Sequence, residues 1–170
     1  VKDNFTSALS SVLAYEGGFS DDPLDPGGMT NLGVTRAVWS EWLGRPVSVK
    51  EMTELTASAV APMYKRKYWD AVNGDELPNG IDHCVFDFAV NSGVGRAAKL
   101  LQSCLGVIAV DGQIGPKTIA AAKAADAKKV IELYGLARLT FLKSLPHWSV
   151  YKNGWSTRVA GVTFQALSNA

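Results

Sequence analysis

Apolar residues recur along this chain at helical rather than strand spacing. Phe5, Leu9, Val12 and Leu13 share one face of a helix over residues 4–16, with Asn4 as its N-cap and Gly17 and Gly18 ending it as a left-handed cap would. A second helix is predicted from about Thr35 to Leu43, stopped by Gly44. Ser48 and Glu51 have capping-box spacing and open a short helix, and a longer one follows from about Thr56 to Trp69, with Pro62 marking a start or a kink. Ile81, Cys84, Val85 and Phe88 define a helix that ends at Gly93; Ala97, Leu101, Cys104 and Leu105 define the next, closed by Gly106.

Beyond it, VIAVDGQIGPKT is a turn-rich connection whose Pro116 suits the first position of a helix. Residues 126–145 are apolar almost all round, through Val130, Ile131, Leu133, Leu136, Leu139, Phe141 and Leu142, which predicts the buried spine of the fold. Trp155, Val159, Val162 and Ala166 give a last helix. Strand patterns are confined to short stretches around Val34 and from Val107 to Val110. The expected fold class is mainly α: two packed helical lobes around a buried central helix, with at most a small β-hairpin near residues 19–35.

Composition narrows the function classes. With 170 residues, 47% of them apolar, the chain can bury a core in one domain or two closely packed lobes. Its 17 basic and 16 acidic residues nearly cancel, so the field that draws proteins onto nucleic acid is missing. Lys65-Arg66-Lys67, between two tyrosines, reads as a solvated helix face. No apolar run approaches the ~20 residues of a bilayer span, and the longest, Val130–Leu145, is broken by Glu132, Arg138 and Lys143, so membrane insertion is not expected. Cys84 and Cys104 fall on apolar helix faces and read as small hydrophobes rather than a disulfide. His83 and His147 are isolated, and without CxxC or HExxH spacing no metal is expected. GVGRAA matches a dinucleotide pattern on paper but follows a helix and lacks the acidic residue required about 20 positions on.

One stretch interrupts the helices: YEGGFSDDPLDPGGMTN, residues 15–31. Glu16 lies within about 20° of Leu9 around the helix, which turns its carboxyl toward the core side. A carboxylate there either finds a partner or takes up a proton, because its charged form is poorly solvated. A protonated carboxyl is what a general acid needs to release a glycosidic oxygen. Two glycines follow and leave the acid unshielded, and Asp21, Asp22 and Asp25 offer the second carboxylate that glycosidases use. The plainer role for these aspartates is turn chemistry, which should account for at least two of them. A calcium loop is not expected, because the spacing lacks a regular series of oxygen ligands ending in a glutamate.

The residues EGGFSDDPLDPGGMTNLGVT, from Glu16 to Thr35, resemble the signature of glycoside hydrolase family 108, bacterial and phage N-acetylmuramidases with a helical, lysozyme-like fold. YWDAVNGDELP from Tyr68, DFAVNSG from Asp87, VDGQIGPKT from Val110 and GWSTR from Gly154 resemble the same family in order, the last two falling in a type 3 peptidoglycan-binding region. The resemblance implies a catalytic lobe over 1–95 and a binding region over 96–170 packed against it. It places the catalytic glutamate at Glu16. In the wider phage-lysozyme pattern of Glu, eight residues, Asp, five residues, Thr, Asp25 takes the second position; the third is Asn31, with Thr30 just before it.

The resemblance implies hydrolysis of the β-1,4 bond from N-acetylmuramic acid to N-acetylglucosamine in peptidoglycan; no cofactor is expected, and a monomer is the default. Glu16 is expected to protonate the bridging oxygen, while Asp25, with Thr30 or Asn31 nearby, stabilises the cationic sugar or activates water. Tyr15, Phe19, Trp69, Asn91 and Trp155 are the candidates for lining the glycan cleft, since flat aromatic faces and amides suit sugar rings. Asp111 and Thr118 are expected to hold a turn and cap a helix. A lytic transglycosylase and a wall-binding module without turnover are the rival readings. VKDNFTSALS lacks the apolar core of a signal peptide, so a protein made in the bacterial cytoplasm would need a holin or another exporter to reach the wall. Phage endolysin, prophage remnant and secretion-assisting muramidase share this chemistry.

Overall fold

The computed structural model describes residues 3–107 and 109–170. Helices follow one another as α1 (Asn4–Glu16), α2 (Arg36–Leu43), α3 (Val49–Thr53), α4 (Ala57–Tyr64), α5 (Ile81–Ser92), α6 (Val94–Leu105), α7 (Pro116–Ala124), α8 (Ala127–Lys143) and α9 (Trp148–Asn169). Among the described residues the sheet is limited to β1 (Thr30–Asn31) and β2 (Val34–Thr35), antiparallel, with Thr30 opposite Thr35 and Asn31 opposite Val34. Ser20 bridges to Thr30 and folds the Asp-rich loop back onto this hairpin. The fold is mainly α, as predicted. The strand expected over 107–110 includes Ile108, which lies outside the described residues; Val107, Ala109 and Val110 are in no strand.

The caps explain where helices begin. Thr35, Thr56 and Asp126 each accept a backbone N–H from the first turn of the helix they open, and Ser48 and Glu51 form both bonds of a capping box. Asn4 is not the cap of α1. It is the first helical residue, and its amide donates to Asn79 Oδ1 and Asp82 Oδ2, tying α1 to the start of α5. Gly17 turns out of α1 with φ +81° and ψ −177°, a positive-φ exit that suits glycine but lies outside the αL conformation of a left-handed cap. Pro62 neither starts nor ends α4: the helix runs through it and passes into a π-helical turn over Lys65–Trp69.

The spine of the molecule is α5, not α8. Every residue from Ile81 to Ala89 is buried, so α5 is enclosed on all sides. Phe86 packs with α1, α4 and the hairpin region, whereas Val85, Phe88 and Ala89 pack with residues of α6, α8 and α9. Helix α8 buries Val130, Ile131, Tyr134, Arg138 and Leu142, but Leu136 is 66% exposed and Leu133 faces outward with it. An apolar circumference does not here mean burial on all sides: the buried residues of α8 lie on one face. Cys84 and Cys104 are free thiols, and burial pushes them up to about 12 and about 11 respectively, which suits packing rather than reactivity. Among the described residues, no helix is long and apolar enough to cross a membrane.

Candidate active site

Glu16 ends its helix because Gly17 turns away, closing only one bond back to the Leu13 carbonyl. The acid therefore stands on the last turn, beside the hairpin. Gly33, at φ +74°, lets the hairpin lie against it: a Cβ there would come 2.6 Å from the Tyr64 hydroxyl and 3.0 Å from Glu16 Cβ and Cγ. Tyr64 donates its hydroxyl to the Leu32 carbonyl at 2.7 Å, fixing the reversal in place. Burial, and then the charge of Glu16, raise the Tyr64 and Tyr68 phenols above their ordinary value, so both keep their protons at neutral pH.

On the other side α9 supplies Arg158, whose Nη1 donates to Glu16 Oε1 at 3.1 Å across 142 residues of sequence. The Glu16 side chain is 22% exposed and that of Arg158 10%, so the carboxyl is neither sealed in nor loose in solvent. Of the two fates expected for a carboxylate on this face, the structure supplies the partner. Arg158 is itself held from behind: its Nε and Nη2 donate to Asp87, which is fully buried on α5. Asp87 also accepts from Arg138 Nη1 at 2.7 Å, and Arg138 Nη2 reaches Asn91 Oδ1 at 3.3 Å. Two guanidiniums and two carboxylates thus balance in one cluster. Burial alone would lower the Arg158 guanidinium, but the charges and hydrogen bonds of Asp87 and Glu16 outweigh it and hold it above the ordinary arginine value.

Next to this cluster Tyr15, Asn91, Asn153, Trp155 and Arg158 line an open groove of about 550 Å³. Three of the predicted cleft residues, Tyr15, Asn91 and Trp155, meet there. Tyr15 lies under the Arg158 guanidinium, 5.2 Å from it, and Tyr151 stacks on Trp155 at 5.4 Å. Phe19 is exposed on the loop after α1 and is not in this lining. Trp69 is corrected to a core residue: it is 1% exposed, packs edge-on against Phe5 and Phe86, and gives its indole N–H to Asp75, so no glycan can reach it.

The remaining candidates divide in the same way. Asn31 is 5% exposed and its amide donates to the Met52 carbonyl, which makes it a clamp between hairpin and α3 rather than a group facing substrate. Thr30 is half-buried on β1 with both backbone groups bonded to Ser20. Asp25 is exposed, and its Oδ1 accepts the Gly27 N–H; Asp22 Oδ1 accepts that of Leu24 in the same manner. Both aspartates shape the turns expected of them. Asp111 likewise holds its turn, through Gln113, but Thr118 does not cap α7. It accepts from the buried Gln102 amide, which also donates to Asp111 and the Gln113 carbonyl.

Asp87, Arg138, Arg158, Tyr64 and Tyr68 escaped prediction. A signal existed for two of them: Asp87 interrupts the run Val85 to Ala89, and Arg138 interrupts the apolar residues of α8. Charges embedded in apolar helices call for partners.

A family model for glycosyl hydrolase 108 matches residues 9–93, and one for a predicted peptidoglycan domain matches residues 96–160. The solved structure of SagA from Brucella abortus is similar along almost its full length: 44% identity, 99% of this chain and 97% of that one covered, TM-score 0.86. No curated protein matches the chain.

Proposed function

The chain belongs to the glycosyl hydrolase 108 family, and from that premise we propose that it hydrolyses the β-1,4 bond between N-acetylmuramic acid and N-acetylglucosamine, with Glu16 as general acid. Its family makes it a glycoside hydrolase, and the match over 96–160 makes peptidoglycan its polymer. The observation that carries the finer reading is the placement of Glu16: a partly exposed carboxyl, held at 3.1 Å by Arg158, beside a groove lined by aromatic rings and amides.

In this mechanism Glu16 hands its proton to the bridging oxygen as the glycosidic C–O bond breaks, and the sugar carbon develops oxocarbenium character. Water completes the reaction. Asp25 keeps Oδ2 for orienting that water, since Oδ1 is committed to Gly27, with Thr30 of the hairpin as its companion. Tyr15, Asn91 and Trp155 receive the sugar rings. The two matched regions would work as one unit, with Arg158 of the second reaching the acid of the first.

Mass spectrometry of the products from purified sacculi tests the reaction. Reducing N-acetylmuramic acid ends are expected. Anhydro ends would assign a lytic transglycosylase instead, and reducing N-acetylglucosamine ends would assign the other bond of the strand. Binding to sacculi with no released fragments at any pH would leave a wall-binding module without turnover.

A further inference from the structure

Arg158 is placed to do more than hold Glu16. A guanidinium carries five N–H donors. Asp87 takes those of Nε and one on Nη2, and Glu16 takes one on Nη1. Among the described residues, one donor on each terminal nitrogen is left without a protein partner, beside the groove. Among the described residues lining that groove, Arg158 bears the only formal charge; its companions Tyr15, Asn91, Asn153 and Trp155 are neutral. Arg158 is thus the charged group on the groove's lining, and its spare guanidinium donors can bind a carboxylate once Glu16 is neutral.

The charge count of the cluster gives that fork a consequence. In the free protein Arg138 and Arg158 are balanced by Asp87 and Glu16. A Glu16 that carries the proton it is to donate leaves one positive charge unbalanced in a largely buried site, which is costly. An anion arriving in the groove would restore the balance.

We propose that the groove beside Arg158 is a subsite for a carboxylate of the substrate, which takes over from Glu16 as the second partner of the guanidinium and releases Glu16 to act as the acid. This rests on the proposed muramidase function and names the part of the substrate that activates it. The carboxylate belongs either to the peptide stem or to the lactyl substituent of a muramic residue that has lost its peptide. Arg158 is on this account a specificity and positioning residue, and neutral glycans of the same backbone bind without freeing the acid.

The test uses the wild-type protein and four substrates: peptide-bearing glycan strands and peptide-free strands, each with its carboxylates left intact or converted to amides. Initial rates of new reducing ends give kcat and KM. Amidation is expected to lower kcat about tenfold or more while changing KM less; loss confined to the peptide-bearing pair assigns the stem, and loss confined to the peptide-free pair assigns the lactyl group. Equal rates on intact and amidated strands would overturn the subsite while leaving the muramidase standing. Cleavage of none of the four would overturn both. As a second reading, Arg158→Lys keeps a charge but loses the fork, so its preference for intact over amidated strands should fall toward one even where its overall rate is reduced. An unchanged preference in a folded Arg158→Lys variant would also overturn the subsite.

Discussion

Asp87 is fully buried between Arg138 and Arg158 and is the counter-ion of both. Replacing it with asparagine strands two buried guanidiniums, for which a loss of about 3–5 kcal/mol is expected; urea unfolding of Asp87→Asn against wild type measures it, and a loss below about 1 kcal/mol would show that the arginines find other partners. His83 is the other buried group with a readable consequence. Burial lowers it below its ordinary 6.5, and Arg138 adds to this, outweighing the opposing pull of Asp87 and Asp82. The fold therefore prefers the neutral ring. Its contribution is complete above the unfolded value of 6.5 and is lost as pH falls below it, since the unfolded chain then binds the proton more readily. Melting temperature should decline as pH falls below about 6.5, and His83→Gln should flatten that decline; identical slopes would contradict it. At this scale Glu16 could be singled out from its helix face and the motif after it, and Tyr15, Asn91 and Trp155 as candidates because flat rings and amides suit sugars. Their connection through Arg158 could not, since periodicity reports which face a residue occupies and says nothing of a partner 142 positions away.

The hairpin β1–β2 is the element on which the acid's surroundings depend. Its reversal places Leu32 at φ +51° and Gly33 at φ +74°, and Gly33 lies against Glu16 and Tyr64. Gly33→Ala adds a methyl where two neighbours already stand, and adds strain at a positive φ of about 1–2 kcal/mol. Activity on sacculi is expected to fall by more than the modest drop in melting temperature explains, because the displaced groups are Glu16 and the tyrosine that fixes the loop. Full activity in Gly33→Ala would mean that the hairpin does not set the position of the acid. Most helices were legible because their caps, the glycine stops at Gly44, Gly93 and Gly106, and their apolar spacing agree with one another. The role of α8 was not. Leu133 and Leu136 lie on its exposed side, and hydrophobicity alone does not reveal which helix lies at the centre when the buried α5 itself carries Asp82, His83 and Asp87. Asp87 is buried in the charge cluster, and Asp82 at the junction with α1.

Across the whole molecule, α5 belongs by family match to the first region yet contributes Ile81, Val85, Phe88 and Ala89 to the core shared with residues 97–166. A fragment ending at residue 95 would expose that surface and lose the arginine partners of Asp87. It is expected to lack a cooperative thermal transition by circular dichroism, and a sharp melt would show that the first region stands alone. The mainly α architecture could be anticipated because it follows from local signals, whereas the joining of two sequence families at one carboxyl depends on packing between distant helices. The central claim is that Glu16, at that junction, donates the proton that cuts the glycan. Release of soluble fragments from sacculi by Glu16→Gln, normalised to sacculus binding and to melting temperature, tests it most directly. The account predicts retained binding and fold with a rate lowered by about 10²–10⁴; a folded Glu16→Gln variant that clears sacculi at the wild-type rate would contradict it.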